Sequence, residues 1–217
     1  MPLTVLCQYL VITKKIKIMK KIVYYIITIF SITNYCNSQN PIIDLDEWNG
    51  DNFPNGSYYK DVNFVLNPFE GTWVYDSPNL KFEMVLEKRE MYYNGGYYDD
   101  TLFGGYKVTK NGVVLYNFLN YSMYYNNPYN AKIEGNHIHR APSPFDETTP
   151  GEIIMSLYML ENPDVGAELF LRKTTVNGQE AIQIYKRSRS RKYNASNGPR
   201  PNGTSYPDGI YTLIKQP

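Results

Sequence analysis

The chain has 217 residues, of which 42% are hydrophobic and 20% are charged, and its formal net charge is +1. These proportions exclude an intrinsically disordered chain, a collagen, a multi-span membrane bundle and a disulfide-rich scaffold. The 22 Tyr, 15 Gly and 14 Pro residues favour strands joined by tight turns, so the composition indicates one sizeable all-β domain.

The N-terminal residues have the layout of a secretory signal peptide. Residues 14–21 read KKIKIMKK, and residues 22–33 form an apolar run that is shorter than the roughly 20 residues needed to span a bilayer. Cys36 and Ser38 place small residues at positions −3 and −1 of a cleavage site before Gln39. We therefore predict that residues 1–38 are a signal peptide. The protein is then exported to the periplasm, the outer envelope or the medium.

Two alternatives to a cleaved signal peptide are a lipoprotein and a retained anchor. A lipoprotein signal needs a small residue before Cys36, but Tyr35 is large. A retained anchor needs a longer apolar run, so we expect no transmembrane anchor in the mature chain. Met19 begins a better-formed signal peptide than Met1 does, and we hypothesise that residues 1–18 are an over-extended start.

Cleavage before Gln39 changes the charge and the cysteine content. Residues 1–38 contain five of the 22 basic residues and no acidic residue, which leaves 17 basic against 21 acidic residues and a formal net charge of −4. Both cysteines, Cys7 and Cys36, are also removed. The mature chain therefore has no thiol, which excludes a disulfide, a cysteine nucleophile and a thiolate metal site.

Along the mature chain, turn-forming residues separate short alternating runs. Residues 39–68 are rich in Asn, Asp, Pro and Gly, which predicts an irregular lead-in segment with one helical turn near residues 59–66. Asn111-Gly112 and Asn177-Gly178 each lie between two alternating runs, a strong local signal for a β-hairpin. Strands are predicted near residues 73–75, 81–91, 106–109, 113–117, 131–139, 152–160, 168–175, 179–186 and 210–215.

About eight to ten short strands without a long amphipathic helix predict an all-β fold. We favour an antiparallel up-and-down β-barrel formed by residues 69–217, with a β-sandwich as the alternative. Residues 187–207 are polar and rich in Pro, Gly and Asn, which predicts a mobile loop within this single domain.

Phe69, Gly71 and Trp73 form the pattern F-x-G-x-W at the start of the first strand of this domain. Glycine allows a close backbone approach, and the Trp two residues later lies on the same face and can close one barrel end. This pattern resembles the first strand of lipocalin-like (calycin) barrels. The resemblance implies that a basic residue of the last strand covers the Trp, and Lys215 is the candidate. The alternative role of Trp73 is packing in the core.

Several longer segments carry a broader resemblance over residues 39–217: NPIIDLDEWNG, GSYYKDVNxVLNPFEGTW, KxEMYYNG, TVNGQEAI and PDGxYTLIKQ. Together they resemble a family of small secreted bacterial proteins that is classed as a domain of unknown function. The resemblance implies a secreted, β-rich domain and no known activity.

A basic run near the C-terminus is a candidate anion-binding site. Five of its seven residues are basic: Lys186, Arg187, Arg189, Arg191 and Lys192. Such a run binds nucleic acid, acidic polysaccharide or lipid head groups, or else it is a solvated loop. No nucleic-acid-binding signature accompanies it, so nucleic acid is not an expected partner.

His137 and His139 are weak candidates for a metal site. They lie two residues apart in a predicted strand and therefore share a face, so the pair could chelate zinc or copper. A third ligand would have to be a carboxylate such as Glu134 or Glu152, and an exposed pair without metal is the alternative. No cofactor motif is present, and we expect no cofactor.

Three functional hypotheses follow, and the sequence assigns no catalytic residue. The first is non-enzymatic binding of a small apolar or amphipathic ligand in the barrel mouth. The second is an envelope or cell-surface module that binds glycans, anionic polymers or protein. The third is a glycan-acting hydrolase, which needs two carboxylates converging in a cleft. Aromatic walls bind sugars and apolar ligands well, so the candidate ligand-binding residues are Trp73, Tyr92, Tyr97 and Tyr124.

Overall fold

A computed structural model describes residues 19–27, 41–47, 54–121, 131–139, 144–145, 152–162, 165–190, 204 and 206–217. The chain divides into two units, Met1–Pro41 and Ile42–Pro217. In the first unit, residues 19–27 form an exposed helix. Within the described ranges, no helix combines the length and the apolar character needed to cross a membrane.

The described residues of the second unit form eleven strands. Most follow the alternating runs of the sequence, because a strand directs successive side chains to opposite faces. The strands are β1 (Ile42–Asp44), β2 (Tyr58–Lys60), β3 (Gly71–Asp76), β4 (Leu80–Tyr93), β5 (Tyr98–Lys110), β6 (Val113–Asn117), β7 (Ile133–His139), β8 (Ile154–Asn162), β9 (Val165–Val176), β10 (Gln179–Ser190) and β11 (Gly209–Lys215).

Eight of these strands close into an antiparallel barrel. The order around the barrel is β5-β4-β3-β11-β10-β9-β8-β7, and β7 pairs with β5 again. The last strand meets the first where Lys215 pairs with Trp73 and Ile214 with Val74. Strands β1, β2 and β6 extend the sheet beside β5. The prediction of an all-β, up-and-down barrel is confirmed, and the architecture fits the lipocalin-like form rather than a sandwich.

Both Asn-Gly hairpins are present. Asn111 and Gly112 join β5 to β6, and Asn177 and Gly178 join β9 to β10. All four residues have positive φ angles, between 50° and 79°. Two consecutive residues in this region form the turn that matches the twist of paired strands, which explains why the hairpins were predictable from a dipeptide.

The barrel interior is occupied by large side chains. One cluster runs along it and includes Trp73, Phe82, Tyr106 and Met155, all fully buried or nearly so. Each such side chain stabilises the fold by about 1.5–3 kcal/mol relative to an exposed one. Near the start of β4, Tyr206 packs on Phe82 with ring centroids 5.1 Å apart. Tyr206 comes from the connection between β10 and β11 and covers this end of the core.

Trp73 closes the opposite end of the barrel. Its indole N–H donates to the carbonyl of Phe69 at 2.8 Å. The ammonium groups of Lys173 and Lys215 lie 4.7 and 5.3 Å from the ring centroid. Glu180 forms ion pairs with both lysines. The expected basic residue over the Trp is therefore confirmed as Lys215, together with a second one that the sequence did not indicate.

The predicted helical turn lies directly after residues 59–66, where Asn67–Phe69 form a single 3₁₀ turn. Strand β2 occupies residues 59 and 60 and pairs in parallel with β1 and β5. The following backbone amides of Val65 and Leu66 then donate to the Asp61 carboxylate at 2.7 and 3.1 Å. A local side-chain acceptor thus replaces the hydrogen bonds of a helix.

The predicted start of the mobile loop at residue 187 is wrong. Strand β10 continues to Ser190, which pairs with Val165 at the start of β9. The basic run therefore begins inside a strand, because its alternating Lys-Arg-Ser-Arg-Ser pattern suits one buried and one exposed face. Residues 191–203 and 205 lie outside the described part of the chain.

Candidate functional site

One edge of β5 changes partners along its length. Tyr98 and Asp99 pair with β2, whereas Leu102 to Gly104 pair with β7. In the described strands, neither β2 nor β7 pairs with Asp100 or Thr101. This break in the ladder lies on the outer wall of the barrel and leaves space between the two partner strands.

Two β-bulges flank the break. In β4 the register shifts between Arg89 and Tyr92, and in β7 it shifts between Glu134 and His137. Gly135 in the second bulge has a φ of +153°, and a Cβ there would lie 2.8 Å from the Ser156 carbonyl oxygen, so glycine is required. Bulges redirect side chains and are frequent beside functional sites.

A pocket of about 330 Å³ opens at this break, and we call it the outer pocket. It combines three aromatic rings, two carboxyl groups, two carboxamides and one hydroxyl group of Thr101. Its walls come from β4, the following turn, β5, β7 and β8. The lining residues are Tyr92, Asn94, Asp99, Thr101, Phe103, Glu134, Gly135, Asn136 and Tyr158.

Asp99 is the most unusual group of the outer pocket. Its residue is 5% exposed, and its Oδ1 has no hydrogen-bond partner in the described residues. The Asn136 amide donates to its Oδ2 at 3.0 Å. Burial raises the pKa of Asp99 to about 6; the amides of Asn136 and Asn94 act against this rise, while the charges of Asp100 and Glu134 add to it. The group therefore changes charge near neutral pH and can donate or accept a hydrogen bond there.

Asp100, the next residue, faces away from the outer pocket and is fully paired. It accepts hydrogen bonds from the Tyr58 hydroxyl at 2.5 Å, from the Asp61 backbone amide at 2.9 Å and from the Met91 amide at 3.0 Å. Asp61 in turn forms a buried ion pair with Lys88 at 2.9 Å. These bonds fix the β4 bulge and the lead-in segment, and so they hold one wall of the pocket.

Comparison with protein families identifies the chain as a match to one family model over residues 19–216, described as a Family of unknown function (DUF6705). The chain belongs to this family. Curated proteins gave no match, and solved structures gave none either. The DUF6705 assignment confirms the resemblance to a family of unknown function and adds no activity.

Of the four aromatic candidates, one lines the outer pocket of this DUF6705 member and a second contacts a lining residue. Tyr92 lines the pocket and packs edge-to-face on Phe103, with ring centroids 5.0 Å apart. The hydroxyl group of Tyr97 accepts a hydrogen bond from the Asn94 amide, another lining group, at 2.9 Å. Trp73 is fully buried at the closed end of the barrel instead. Tyr124 lies outside the described residues.

The structure places the described residues of the basic run on two faces of β10. Lys186 is fully buried and binds Asp208 at 2.7 Å and the Tyr206 carbonyl at 3.0 Å. Arg187 and Arg189 lie on the outer face and share one carboxylate oxygen of Glu168, each at 2.6 Å. Arg191 and Lys192 lie outside the described residues. A contiguous anion site that includes Lys186 is therefore wrong, because strand alternation directs that residue inward.

His137 and His139 share the outer face of β7 as predicted, with ring centroids 4.2 Å apart. Burial lowers the pKa of both imidazoles, and Glu168 acts in the opposite direction. Among the described residues, no group of three or more His, Cys, Asp or Glu side chains is placed to hold a metal ion. The third ligand suggested for the pair, Glu134 or Glu152, does not complete such a group.

Sequence reasoning missed most of the outer pocket. Asp99, Thr101 and Phe103 occupy alternate positions of one strand, a signal that they share a face. Gly135 inside a strand is a second signal, because an isolated glycine there often marks a bulge. Neither signal shows that β4, β7 and β8 bring Tyr92, Glu134 and Tyr158 to the same place.

Proposed function

We propose that this protein is an exported, non-enzymatic binding protein that takes a small glycan in the outer pocket. The observation that carries the proposal is the composition of the pocket wall, which combines three aromatic rings with carboxyl and carboxamide groups. Rings pack on the apolar faces of sugars, and the polar groups exchange hydrogen bonds with hydroxyl groups. A volume of about 330 Å³ suits one or two sugar rings.

The wall is preorganised for such a ligand. Tyr92 and Phe103 hold each other in an edge-to-face contact, and Asn136 is fixed by donating to the Asp99 carboxylate and to the Asp100 carbonyl, both at 3.0 Å. Groups that are already oriented lose little conformational entropy on binding. The pocket therefore has features of a recognition site as well as the space for one.

A glycan array tests this proposal with a matched pair of variants. Tyr92 lines the pocket, whereas the adjacent Tyr93 is 57% exposed and packs on Tyr98. We expect the protein to retain a defined set of glycans, and Tyr92→Ala to weaken that retention by up to about tenfold, since one aromatic contact contributes about 0.5–1.5 kcal/mol. Tyr93→Ala should retain the same set. Equal losses in the two variants, or no retained glycan, would contradict the proposal.

A second candidate is the carriage of an apolar ligand inside the barrel. It is favoured by Tyr206, a buried ring that comes from a connecting segment and not from a barrel strand. A ligand could replace this ring over Phe82 and Met159, which it contacts. Native mass spectrometry tests this candidate, because a co-purified lipid-like mass that is lost on denaturation would support it. An interior that stays empty in a lipid-rich host would count against it.

A glycan-acting hydrolase is the third candidate. Asp99 and Glu134 are two carboxyl groups of one pocket, as that chemistry needs. Incubation of the retained glycans with the protein distinguishes the two activities, since hydrolysis releases new reducing ends and binding alone does not.

Export is a proposal of its own, supported by the basic and apolar N-terminal residues. Sequencing the N-terminus of the protein recovered from cells tests it. A start at Gln39 is expected, and recovery of a chain that retains residues 19–38 would contradict cleavage.

A further inference from the structure

We infer that the ligand of the outer pocket carries a positively charged amino group, so that the glycan it takes is an amino sugar with a free amine. This inference rests on the proposed function and names its substrate class. It comes from the charge balance of the pocket, from one unsatisfied oxygen and from the position of the aromatic rings.

The residues that line the pocket include two acids and no base, although Arg89 lies over the Tyr92 ring. Asp99 and Glu134 both line the pocket, and none of its described lining residues is Lys, Arg or His. Glu134 pairs across the sheet with Phe103 on β5 and with Tyr158 on β8, so its strand position lies between two aromatic residues. A cation is the ligand group that this combination of charge and rings attracts most strongly.

Elsewhere in the described chain, several carboxylates have basic partners, and the buried Asp100 has three hydrogen bonds instead. Four carboxylates have such basic partners: Asp61 with Lys88, Glu168 with Arg187 and Arg189, Glu180 with Lys173 and Lys215, and Asp208 with Lys186. In the part of the chain that the structure describes, Asp99 has no ion pair. Buried acids normally have an ion pair or a full set of hydrogen bonds, and Asp99 has neither, which indicates that its partner comes from a ligand.

Asp99 Oδ1 is one of several unsatisfied buried atoms in the described residues, and it belongs to an acid of this pocket. It is buried without a hydrogen-bond partner in the described residues, while Oδ2 accepts from Asn136. A buried acceptor without a donor is rare in folded proteins and marks a place where a donor is missing. An ammonium group has three hydrogen-bond donors and a positive charge. It therefore supplies both the donor that Oδ1 lacks and the opposite charge that the carboxylate lacks.

The aromatic rings favour an organic cation over a metal ion. Tyr92, Phe103 and Tyr158 line the same pocket, and ring faces attract ammonium groups. A metal ion would need a denser set of ligands, and the described residues contain no group of three or more His, Cys, Asp or Glu side chains that could hold one. Arg89 stacks at 5.6 Å on the Tyr92 ring, which shows that this ring already accepts a cation on one face.

The test is a titration followed by NMR at pH 7.5 with four probes. Glucosamine, N-acetylglucosamine and glucose share one ring and differ in charge, and putrescine is an amine without a sugar ring. We expect glucosamine to bind about tenfold more tightly than the two neutral sugars. Asp99→Asn should remove that preference, whereas Asp76→Asn, at an exposed aspartate far along the chain, should keep it. Glu134→Gln is a second pocket variant in case Asp99→Asn alters the fold.

The outcomes separate this inference from the function on which it rests. Equal binding of the three sugars, unchanged by Asp99→Asn, overturns the requirement for charge and leaves the glycan-binding proposal standing. Binding of putrescine alone, lost in Asp99→Asn, supports the cation and overturns the glycan. Binding of none of the four probes to the wild-type protein overturns the inference.

Discussion

Two adjacent aspartates of β5 show how differently this protein uses buried charge. Asp100 receives three hydrogen bonds, from a tyrosine hydroxyl and two backbone amides. Asp99 receives one from Asn136 and leaves Oδ1 without a partner in the described residues. Strand alternation places the two on opposite faces, Asp100 toward the lead-in segment and Asp99 toward the outer pocket.

This difference in hydrogen bonding separates buried acids that stabilise the fold from buried acids that destabilise it. A buried acid with all its partners supports the structure, and removing a partner is costly. A buried acid that lacks a partner destabilises the protein and is retained for another reason, of which ligand binding is the most direct. Each prediction below measures how far this contrast holds, starting with the largest expected effect.

The largest loss of stability is expected for the ion pair between Asp61 and Lys88, since the Asp61 backbone amide donates to Asp100. The side chain of Asp61 is fully buried, and it binds Lys88 as well as the amides of Val65 and Leu66. Asp61→Ala leaves a buried ammonium group and two amides without their acceptor, which should lower the free energy of unfolding by about 3–5 kcal/mol. Denaturation by urea, followed by circular dichroism, measures this loss.

The matched control for this change is Asp76→Ala at the exposed end of β3. Its expected effect is within about 0.5 kcal/mol, as for most surface substitutions. If Asp61→Ala lowered the free energy of unfolding no more than Asp76→Ala does, the buried hydrogen bonds and ion pair would not support the fold. The proposed difference between Asp100 and Asp99 would then be contradicted on the Asp100 side.

The second prediction concerns Asp99 and has the opposite sign. Burial raises its pKa from 3.8 to about 6, so the folded protein binds a proton there more tightly than the unfolded chain does. Stability therefore falls as pH rises from about 4 to 6, and the full loss persists above pH 6. Asp99→Asn removes the ionisable group and should raise the free energy of unfolding at pH 8 by about 1–3 kcal/mol, since one pKa unit corresponds to about 1.4 kcal/mol.

The pH dependence is the decisive part of this measurement. The gain from Asp99→Asn should shrink as the pH is lowered from 8 to 4, because Asp99 is then protonated in the folded protein and partly protonated in the unfolded chain. Urea denaturation at pH 4, 6 and 8 follows it, with Asp76→Asn as the control that should show no such trend. A gain of equal size at all three pH values would mean that packing, and not charge, distinguishes Asp99 from Asp100.

The sequence allowed the barrel to be predicted but not the pocket, and these two aspartates show why. The hairpins at Asn111-Gly112 and Asn177-Gly178 are decided by two neighbouring residues, and alternation within each run gives the strand faces. The Trp73–Lys215 contact needed a family resemblance, because it joins the first and last strands of the barrel.

Nothing local to the Asp99-Asp100 pair tells which aspartate is satisfied. The answer depends on Tyr58, Met91 and Asn136, which arrive from three other strands. Two of the strands, β4 and β7, reach the site through bulges, and a bulge shifts the register by one residue and changes which side chains meet. Long-range register is the information that composition and periodicity do not contain.

The smallest loss of stability is expected for a carboxylate near the surface that has two basic partners. Glu168 accepts from both Arg187 and Arg189, whose side chains are 47% and 53% exposed. Arg187→Ser should lower the free energy of unfolding by at most about 1 kcal/mol, because water screens the pair and Arg189 remains. Urea denaturation beside Asp61→Ala gives the comparison directly. A loss of stability as large as that of Asp61→Ala would show that the number of partners, and not burial, sets the strength of these ion pairs. The missing partner of Asp99 would then no longer be a sign of a ligand.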